Sequence, residues 1–339
     1  MNYETMEQNL NLNGANIDRV LPVRAISIFA SFVFALYCFI GTICNLVTIV
    51  ALLKSKLRRL TTTKFVVNLA VCDFVMCAIC FPLYAQQYAS NELIYPYQKI
   101  CLQILVLRWV VGSSSLDFLV AVTVNRYVKI CHSKYYDAIF SKRNVWIVIA
   151  IIWICRLVIG LIFVNGGLVH LEPTGDHHQL NIVGNSKAIS ILFMAQVYIP
   201  PPILIGCSVA MIAKSKKLRK EMSSFGIISS HDTKLVKISI VIVICYVSFV
   251  MPSYTLTIIH RLLGTSHPNS VTFENVHLLV FILVGANSVV NPFVYVFMSL
   301  DYRKAFYALF GVNKTEDTRT TIAFSSRTVK SSNITYSQS

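Results

Sequence analysis

The chain has 339 residues, of which 55% are hydrophobic and only 13% are charged. Soluble proteins carry about 25% charged residues, so this composition excludes an ordinary soluble domain and indicates a protein that crosses a membrane repeatedly. The net charge of +15 would suit a nucleic-acid-binding protein, but the positions of the basic residues argue against nucleic acid as a partner.

Seven apolar runs follow one another, and each has the roughly 20 residues that a helix needs to cross a bilayer. We call them span 1 to span 7, at about residues 26–53, 63–88, 101–124, 145–165, 188–213, 235–259 and 276–299. They predict an all-α fold, a seven-transmembrane helix bundle. Its parts are an extracellular segment (1–25), the transmembrane domain (26–300), a membrane-surface helix (301–312) and a disordered cytoplasmic tail (313–339).

Basic residues cluster after spans 1, 3, 5 and 7 and are sparse after the others. The clusters are Lys54, Lys56, Arg58 and Arg59; Lys129, Lys134, Lys142 and Arg143; Lys214, Lys216, Lys217, Arg219 and Lys220; and Arg303 with Lys304. This alternation is what the positive-inside rule requires. It predicts a multi-pass plasma-membrane protein with its N-terminus outside and its C-terminus in the cytoplasm.

Span 2 places Asp73 in an apolar helix and carries Pro82 toward its outer end. A lone acidic residue inside the membrane usually has a function; the alternative is a neutral, hydrogen-bonded core carboxyl. Pro82 predicts a kink at the outer end of the span.

Span 3 carries charged residues at three depths: Arg108, Asp117 and Arg126. At the helical rise, the two arginines lie roughly 27 Å apart, about one hydrocarbon thickness. Five helical turns separate them, so they share one face. Such residues usually face the bundle interior; the alternative is that both arginines snorkel to the two interfaces.

Asp117 lies on another face of span 3, near mid-membrane, and Arg156 in span 4 lies at a similar depth. Two unpaired charges there would be costly, whereas a pair is tolerable. We therefore predict a structural ion pair between Asp117 and Arg156.

The second half of the chain is marked by prolines and by a polar outer loop. Pro200, Pro201 and Pro202 predict a break or bend in span 5. The outer loop of about residues 166–187 holds three histidines: His170, His177 and His178. The simplest interpretation is that their side chains are exposed to water; the alternative is that the adjacent pair His177 and His178 binds a metal or senses pH.

Every span except the fifth carries one characteristic residue or short motif, which we call its landmark. The landmarks are Gly41-x3-Asn45, Asn68-Leu-Ala-x2-Asp73, Asn125-Arg126-Tyr127, Trp153, Pro252 and Asn291-Pro292-x2-Tyr295. Together they resemble the rhodopsin-like (class A) G-protein-coupled receptors from about residue 26 to 310. Residues 125–137 further resemble melatonin receptors and their invertebrate relatives.

The resemblance implies that Arg126 meets the C-terminal helix of a heterotrimeric G protein when the bundle opens. The residues that couple and activate would be Asn125, Arg126, Tyr127, Pro252, Asn291, Pro292 and Tyr295, with Asn45 and Trp153 as structural landmarks. In the family a carboxylate usually precedes this arginine, but here the residue is Asn125. An asparagine cannot form the ion pair that holds Arg126 inward, so we expect a lower barrier to activation. Asp232, near the start of span 6, is the alternative partner.

In the resembled family, the position of Arg108 lines the ligand pocket. An arginine there disfavours a cationic amine and favours an anionic or carbonyl-rich ligand. The alternative is an interfacial arginine paired with Glu172 or Asp176 of the outer loop.

The resemblance also implies an inward polar cluster that can hold a sodium ion, since oxygen ligands suit a hard cation. Its members would be Asp73, Ser115, Asn287, Ser288 and Asn291. The alternative is a water-filled polar network without sodium, and no other cofactor is expected.

Besides Asn125, three departures from the family pattern accompany these matches, and a further position excludes one branch of the family. Cys101 lacks a partner cysteine in the outer loop, which implies a free thiol. Val250 replaces the aromatic residue before Pro252, and span 5 lacks the family's tyrosine. Gly285 stands at the position of the retinal-binding lysine, and span 7 contains no lysine, which excludes an opsin.

The C-terminal part combines an aromatic helix with a Ser/Thr-rich tail. Aromatic residues at 302, 306 and 310 predict an amphipathic helix on the inner leaflet. The tail predicts phosphorylation by receptor kinases and then arrestin binding.

We expect a receptor that transduces the binding of an extracellular ligand into activation of a heterotrimeric G protein. A transporter or channel would show internal repeats and paired broken helices, which are not visible. A heptahelical protein with atypical or no coupling stays open because of the departures above. An enzyme is the least favoured, since no metal pair, nucleophile elbow or carboxylate dyad is present.

Overall fold

The structure is a computed structural model that describes residues 24–90, 98–165, 170–174, 177–181, 194–196, 198–224, 231–256 and 271–311. The predicted extracellular segment, apart from Arg24 and Ala25, and the predicted tail lie outside these residues. Six described helices are long and apolar enough to cross a membrane, and a shorter apolar helix covers Ile240–Leu256. These seven correspond one to one to the predicted spans.

The helices of the first four spans are nearly continuous. They are Arg24–Lys54 for span 1, Thr61–Val75 and Phe81–Ser90 for span 2, Gln98–Cys131 for span 3 and Lys142–Asn165 for span 4. Short helices connect them on the basic side of the bundle: Lys56–Arg59, Ser133–Tyr135 and Tyr136–Ile139.

The remaining spans are Pro200–Ser224 for span 5, His231–Phe249 with residues 251–256 for span 6, and Val271–Met298 for span 7. A surface helix, Leu300–Leu309, follows. Ser299 separates it from span 7 because its side chain accepts a hydrogen bond from the Tyr302 N–H and so caps the new helix.

The predicted kink in span 2 takes the form of a π-helical turn over Met76–Cys80. Pro82 has no N–H, and in a regular helix its ring would meet the carbonyl of Ala78. The wider turn around Ala78 accommodates the proline without breaking the span.

The prolines of spans 5 and 6 lie close to interruptions. A bend at Ile199 precedes the helix that begins at Pro200, so the three prolines occupy its first turn. Backbone N–H groups in a first turn have no acceptor within the helix, so prolines there lose no helical hydrogen bond. In span 6, Val250 forms a turn before residues 251–256 resume the helix with Pro252 near their start.

The outer loop after span 4 carries a hairpin that the sequence did not predict. Strand β1 (His170–Thr174) pairs antiparallel with β2 (His177–Asn181), with His170 opposite Asn181. The predicted outer-loop histidines therefore lie on strands, while their side chains fall outside what the structure describes. The described residues of the seven spans are helical apart from single residues at Ile199, Val250 and Ser299, as predicted.

Two apolar clusters hold the bundle together. The inner one joins spans 2, 3 and 6 through Phe65, Phe118 and Tyr246. The outer one joins spans 1, 2 and 7 around Phe34. Close approach of spans 1 and 2 depends on Gly41, because a Cβ there would collide with the Cys77 sulfur.

Candidate functional site

Arg108 lies in an aromatic enclosure in the outer half of the bundle. Its guanidinium carbon is 6.0 Å from the ring centroid of Tyr84 on span 2 and 5.7 Å from that of Phe281 on span 7. Both separations suit cation–π attraction. The Nε–H group of Arg108 is buried and has no hydrogen-bond partner among the described residues. The site therefore holds a positive charge that rings surround without neutralising.

The two rings are fixed by further aromatic packing. Tyr84 and Phe281 meet edge to face, with centroids 5.2 Å apart. Phe34 contacts both rings at 5.5 Å. Such contacts are worth about 0.5–1.5 kcal/mol each beyond area burial, so this enclosure is preorganised. The alternative partners of Arg108 lie outside the described part of the chain: Asp176 and the side chain of Glu172.

Asp73 occupies the middle of the bundle and is buried. Its carboxylate accepts hydrogen bonds from Ser115 Oγ at 3.0 Å and from Asn291 Nδ2 at 2.8 Å. Ser288 is within hydrogen-bonding reach. The structure thus brings together four of the five predicted members, while Asn287 is buried on span 7 without a hydrogen bond to Asp73 in the described chain.

Asn45 adds an oxygen to this region. Its Nδ2 donates to the carbonyl oxygens of Gly41 at 2.9 Å and Ser288 at 3.0 Å, which ties span 1 to span 7. Its Oδ1 is buried without a partner in the described residues. A carboxylate, a hydroxyl and an orphaned amide oxygen form a donor set that fits a hard monovalent cation.

Arg126 lies at the basic end of span 3 and is only 3% exposed. Its Nε and Nη1 atoms are buried and make no hydrogen bond within the described chain. The neighbouring phenols belong to Tyr295 and Tyr302, whose rings stack at 5.4 Å with an interplanar angle of 22°. Burial raises the pKa of the Tyr302 phenol, and the positive charge of Arg126 opposes that rise. Tyr302 therefore stays neutral.

Asn125 is held away from the neighbouring arginine. Its Oδ1 accepts a hydrogen bond from Thr62 Oγ1 at 2.5 Å, and its Nδ2 donates to the Tyr136 hydroxyl at 3.3 Å. These contacts tie span 3 to span 2 and to the short helix Tyr136–Ile139. Tyr127 makes a separate contact, with its hydroxyl 2.9 Å from His132 Nε2.

The sequence missed three residues of this inner layer: Thr62, Tyr136 and Tyr302. No pattern marked Thr62, and Tyr136 lies in the stretch 125–137, where the sequence indicated no role for it. Tyr302 was assigned to the membrane-facing stripe of the surface helix, but its ring packs on Tyr295 instead. Exposed Phe310 remains on the outside. The alternative partner Asp232 has a side chain outside the described residues.

The structure brings Asp117 and Arg156 together. Arg156 donates from Nε to Oδ2 at 2.5 Å and from Nη2 to Oδ1 at 2.7 Å. The side chains of Arg156 and Asp117 are 18% and 24% exposed. The Arg156 guanidinium also lies 5.9 Å from the Trp109 ring centroid. Every charged group of this pair is matched.

The surroundings of Trp153, Val250 and Gly285 are also described. Trp153 Nε1 donates to Asn68 Oδ1 at 3.0 Å and so joins spans 2 and 4. Val250 is buried. A Cβ on Gly285 would lie 3.0 Å from ring carbons of Tyr37, so a lysine could not be placed there without moving that ring.

Comparisons with known proteins agree with this arrangement. The family model described as "7 transmembrane receptor (rhodopsin family)" matches residues 44–295. Protein trapped in endoderm-1 of Drosophila melanogaster is 25% identical over 92% of this chain and 84% of its own. Human galanin receptor type 1 is 28% identical over 82% of this chain and 80% of its own. The squid rhodopsin crystal structure matches with a TM-score of 0.70 at 20% identity, covering 86% of this chain and 87% of that one; this likeness shows the shared seven-helix fold.

Proposed function

The chain belongs to the rhodopsin family of seven-transmembrane receptors, and on that premise we propose that it detects an extracellular ligand at Arg108 and activates a heterotrimeric G protein through Arg126. Proteins of this family are G-protein-coupled receptors that sit in the plasma membrane, and they are not enzymes. The predicted receptor function and the predicted absence of an enzymatic activity are both confirmed by this membership.

One observation carries the assignment of the coupling residue. Arg126 is buried, yet two of its nitrogen atoms have no partner within the described chain. A buried unsatisfied donor costs about 1–3 kcal/mol, and more when it is charged. An incoming helix that offers backbone carbonyls or a carboxylate would satisfy these donors and so stabilise an open bundle.

Asn125 makes this opening easier in our proposal. In its place a carboxylate would pair with Arg126 and favour the closed state. The amide is instead held by Thr62 and Tyr136. A ligand then shifts the equilibrium by as much as its affinities for the closed and open states differ. Span 6, interrupted at Val250 and Pro252, is the segment we expect to move.

The ligand is proposed to be peptide-like and non-aminergic. A positive charge at Arg108 repels an amine and suits a carboxylate or a carbonyl-rich group. Relatives include receptors named for galanin, somatostatin and allatostatin-A, although an alpha-1A adrenergic receptor is also among them. A narrower kinship with melatonin receptors is proposed from residues 125–137 alone.

Sodium, orientation and regulation complete the proposal. Asp73, Ser115 and Asn45 would supply oxygens to a sodium ion in the core; the alternative is a water-filled network.

The alternation of basic residues supports an extracellular N-terminus and a cytoplasmic C-terminus. The Ser/Thr-rich residues 313–339 would recruit receptor kinases and arrestin.

The test is basal nucleotide exchange on a panel of Gα subunits with the purified chain in a bilayer. We expect exchange above background on at least one subunit. Arg126→Ala should abolish it, whereas the matched control Arg59→Ala, an exposed arginine of the first inner loop, should leave it unchanged. Silence on every subunit, or exchange that survives Arg126→Ala, would favour a heptahelical protein with atypical or no coupling, an alternative supported by the buried Val250.

A further inference from the structure

Four polar side chains from four elements meet at the inner end of the bundle, around the guanidinium of Arg126. Tyr302 of the surface helix lies beside Arg126 of span 3 and Thr63 of span 2. Its ring stacks on that of Tyr295 of span 7, with centroids 5.4 Å apart. Arg126, Tyr295 and Thr63 are 3%, 2% and 1% exposed. We call these four residues the inner donor cluster.

Two nitrogen atoms and two hydroxyl oxygens of this cluster lack hydrogen-bond partners. They are Nε and Nη1 of Arg126, Oη of Tyr295 and Oγ1 of Thr63, each of which is buried without a partner in the described residues. A buried donor that bonds neither to protein nor to water is costly, and such groups are rare in folded chains. Their concentration around one arginine indicates that a ligand belongs among them.

The positive charge of Arg126 has no counter-charge in the described chain. The acidic residues near the cluster are Asp73, which acts electrostatically on Tyr295, and Asp301, which acts on Tyr302. Neither forms an ion pair with Arg126. A guanidinium only donates hydrogen bonds, whereas the hydroxyls beside it can turn to donate as well. The cluster therefore offers several donors and one unmatched positive charge.

A monovalent anion fits these groups better than water does. Water would accept hydrogen bonds from one or two of the donors, but it carries no charge to offset that of Arg126. An anion does both, and a hydrogen bond between a charged donor and a charged acceptor is stronger than a neutral one. A single negative charge matches the single guanidinium, whereas a divalent anion would bring an uncompensated charge into a buried site.

We propose that the inner donor cluster binds a small monovalent anion of the halide class in the closed bundle. Its ligands are the N–H groups of Arg126 and the hydroxyls of Tyr295, Thr63 and Tyr302. The anion occupies the donors that an incoming helix needs, so the anion and the G protein compete for Arg126. This competition rests on the proposed function, whereas binding of the anion does not.

The test measures thermal unfolding of the purified full-length chain in detergent as chloride replaces gluconate at fixed sodium concentration and ionic strength. Gluconate carries the same charge but is too large for a buried site. We expect a saturable rise of about 3 °C at tenfold excess over the chloride dissociation constant, and bromide should act as chloride does. Equal melting temperatures in chloride and gluconate would show that water fills the cluster and would overturn the proposal.

A pair of matched tyrosine variants localises the anion. Tyr295→Phe should weaken the apparent chloride affinity about tenfold, because a hydrogen bond to a charged group is worth a factor of that order. Tyr246→Phe removes a buried phenol of span 6 that lies outside the cluster, and it should leave the affinity within about twofold. Equal affinities in the two variants would place the anion elsewhere and overturn the proposal.

A pair of variants at Thr63 guards against misfolding. Thr63→Ser keeps the hydroxyl and should keep the chloride affinity within about threefold, whereas Thr63→Val has a similar shape without the hydroxyl and should lose about tenfold. If Thr63→Ser loses the chloride response while its melting temperature in gluconate is unchanged, the hydroxyl is not a ligand and the proposal fails.

Nucleotide exchange separates the anion site from the proposed function. On a responsive Gα subunit, chloride at tenfold excess should lower receptor-catalysed exchange up to about tenfold, after subtraction of exchange by the subunit alone in each salt. Unchanged exchange in the presence of bound chloride would overturn the competition.

The two assays fail independently. A chloride-dependent melting temperature without exchange in either salt would contradict the proposed function alone. Exchange without a chloride-dependent melting temperature would contradict the anion site alone. Variants of Arg126 are compared by thermal unfolding in gluconate, where the cluster is empty.

Discussion

Arg108, Arg126 and Arg156 lie at different depths of spans 3 and 4, and they differ in which groups surround their positive charge. Arg156 makes two short hydrogen bonds to the Asp117 carboxylate. Arg108 has one buried nitrogen atom, Nε, and Arg126 has two, Nε and Nη1, without a hydrogen-bond partner in the described residues. The charges of the first arrangement are paired with each other, whereas the other two leave buried donors, which we propose an arriving ligand or partner helix satisfies.

We propose that this difference separates arginines with a structural role from arginines with a functional role. A matched pair between spans 3 and 4 stabilises one packing of the two helices, because breaking it would leave a charge in an apolar medium. An unmatched charge costs free energy in the resting state, and that cost is recovered when a ligand or a partner helix supplies the missing acceptor. Arg108 and Arg126 lie at the two ends of one helix, where such partners would come.

The largest expected effect is on the matched pair. Asp117→Leu should destabilise the chain by about 3 kcal/mol, near the lower limit for a buried pair, because both side chains are partly exposed. Asp117→Leu with Arg156→Leu should recover most of that loss. Thermal unfolding in detergent measures both. Losses that simply add in the double variant would argue against the pair.

A smaller effect is expected in ligand affinity. Arg108→Ala should weaken any agonist identified in the exchange assay about 30-fold, since a charge-assisted hydrogen bond is worth about 2 kcal/mol. Arg108→Lys keeps the positive charge but loses the forked geometry of the guanidinium, so its agonist affinity should lie between those of the unmodified chain and Arg108→Ala. Unchanged agonist affinity in Arg108→Ala would remove this residue from the pocket.

Sodium should stabilise the middle of the bundle by a smaller amount. At tenfold excess over its dissociation constant, the ion adds about 1.4 kcal/mol, measured as a rise in melting temperature when sodium replaces choline at equal ionic strength. Ser115→Ala should reduce the rise. Ser114→Ala, a buried neighbour whose Oγ has no partner in the described chain, serves as the matched control. An equal rise in Asp73→Asn would favour the water-filled network.

The smallest effect concerns the residue before Arg126. Asn125→Asp should lower basal nucleotide exchange about threefold, a shift of roughly 0.7 kcal/mol toward the closed state, because the new carboxylate can pair with the arginine. Asn125→Ala serves as a comparison that removes the contacts to Thr62 and Tyr136 without adding charge. Basal exchange that rises in Asn125→Asp would contradict the role assigned to this position.

Hydropathy and charge predicted much of this molecule because the bilayer imposes strong rules. The number of spans follows from the length of the apolar runs. The contact between Asp117 and Arg156 follows from their shared depth, because the membrane leaves few alternatives to pairing.

Other features depend on three-dimensional neighbours that a pattern does not reveal. The hydrogen bond from Thr62 to Asn125 joins residues 63 positions apart. The rings around Arg108 come from spans 2 and 7. Tyr302 matched the spacing of a surface stripe, yet packing against Tyr295 determined its position. The hairpin β1–β2 carries a proline and several polar residues, so strand propensity did not indicate it.

The most direct measurement compares Arg126→Ala with Arg156→Ala in two assays, thermal unfolding and nucleotide exchange per folded molecule. We predict that Arg126→Ala loses exchange and keeps its melting temperature, whereas Arg156→Ala loses stability and keeps exchange in the molecules that remain folded. If Arg126→Ala unfolds as early as Arg156→Ala, or still catalyses exchange, the division between matched and unmatched charges is wrong.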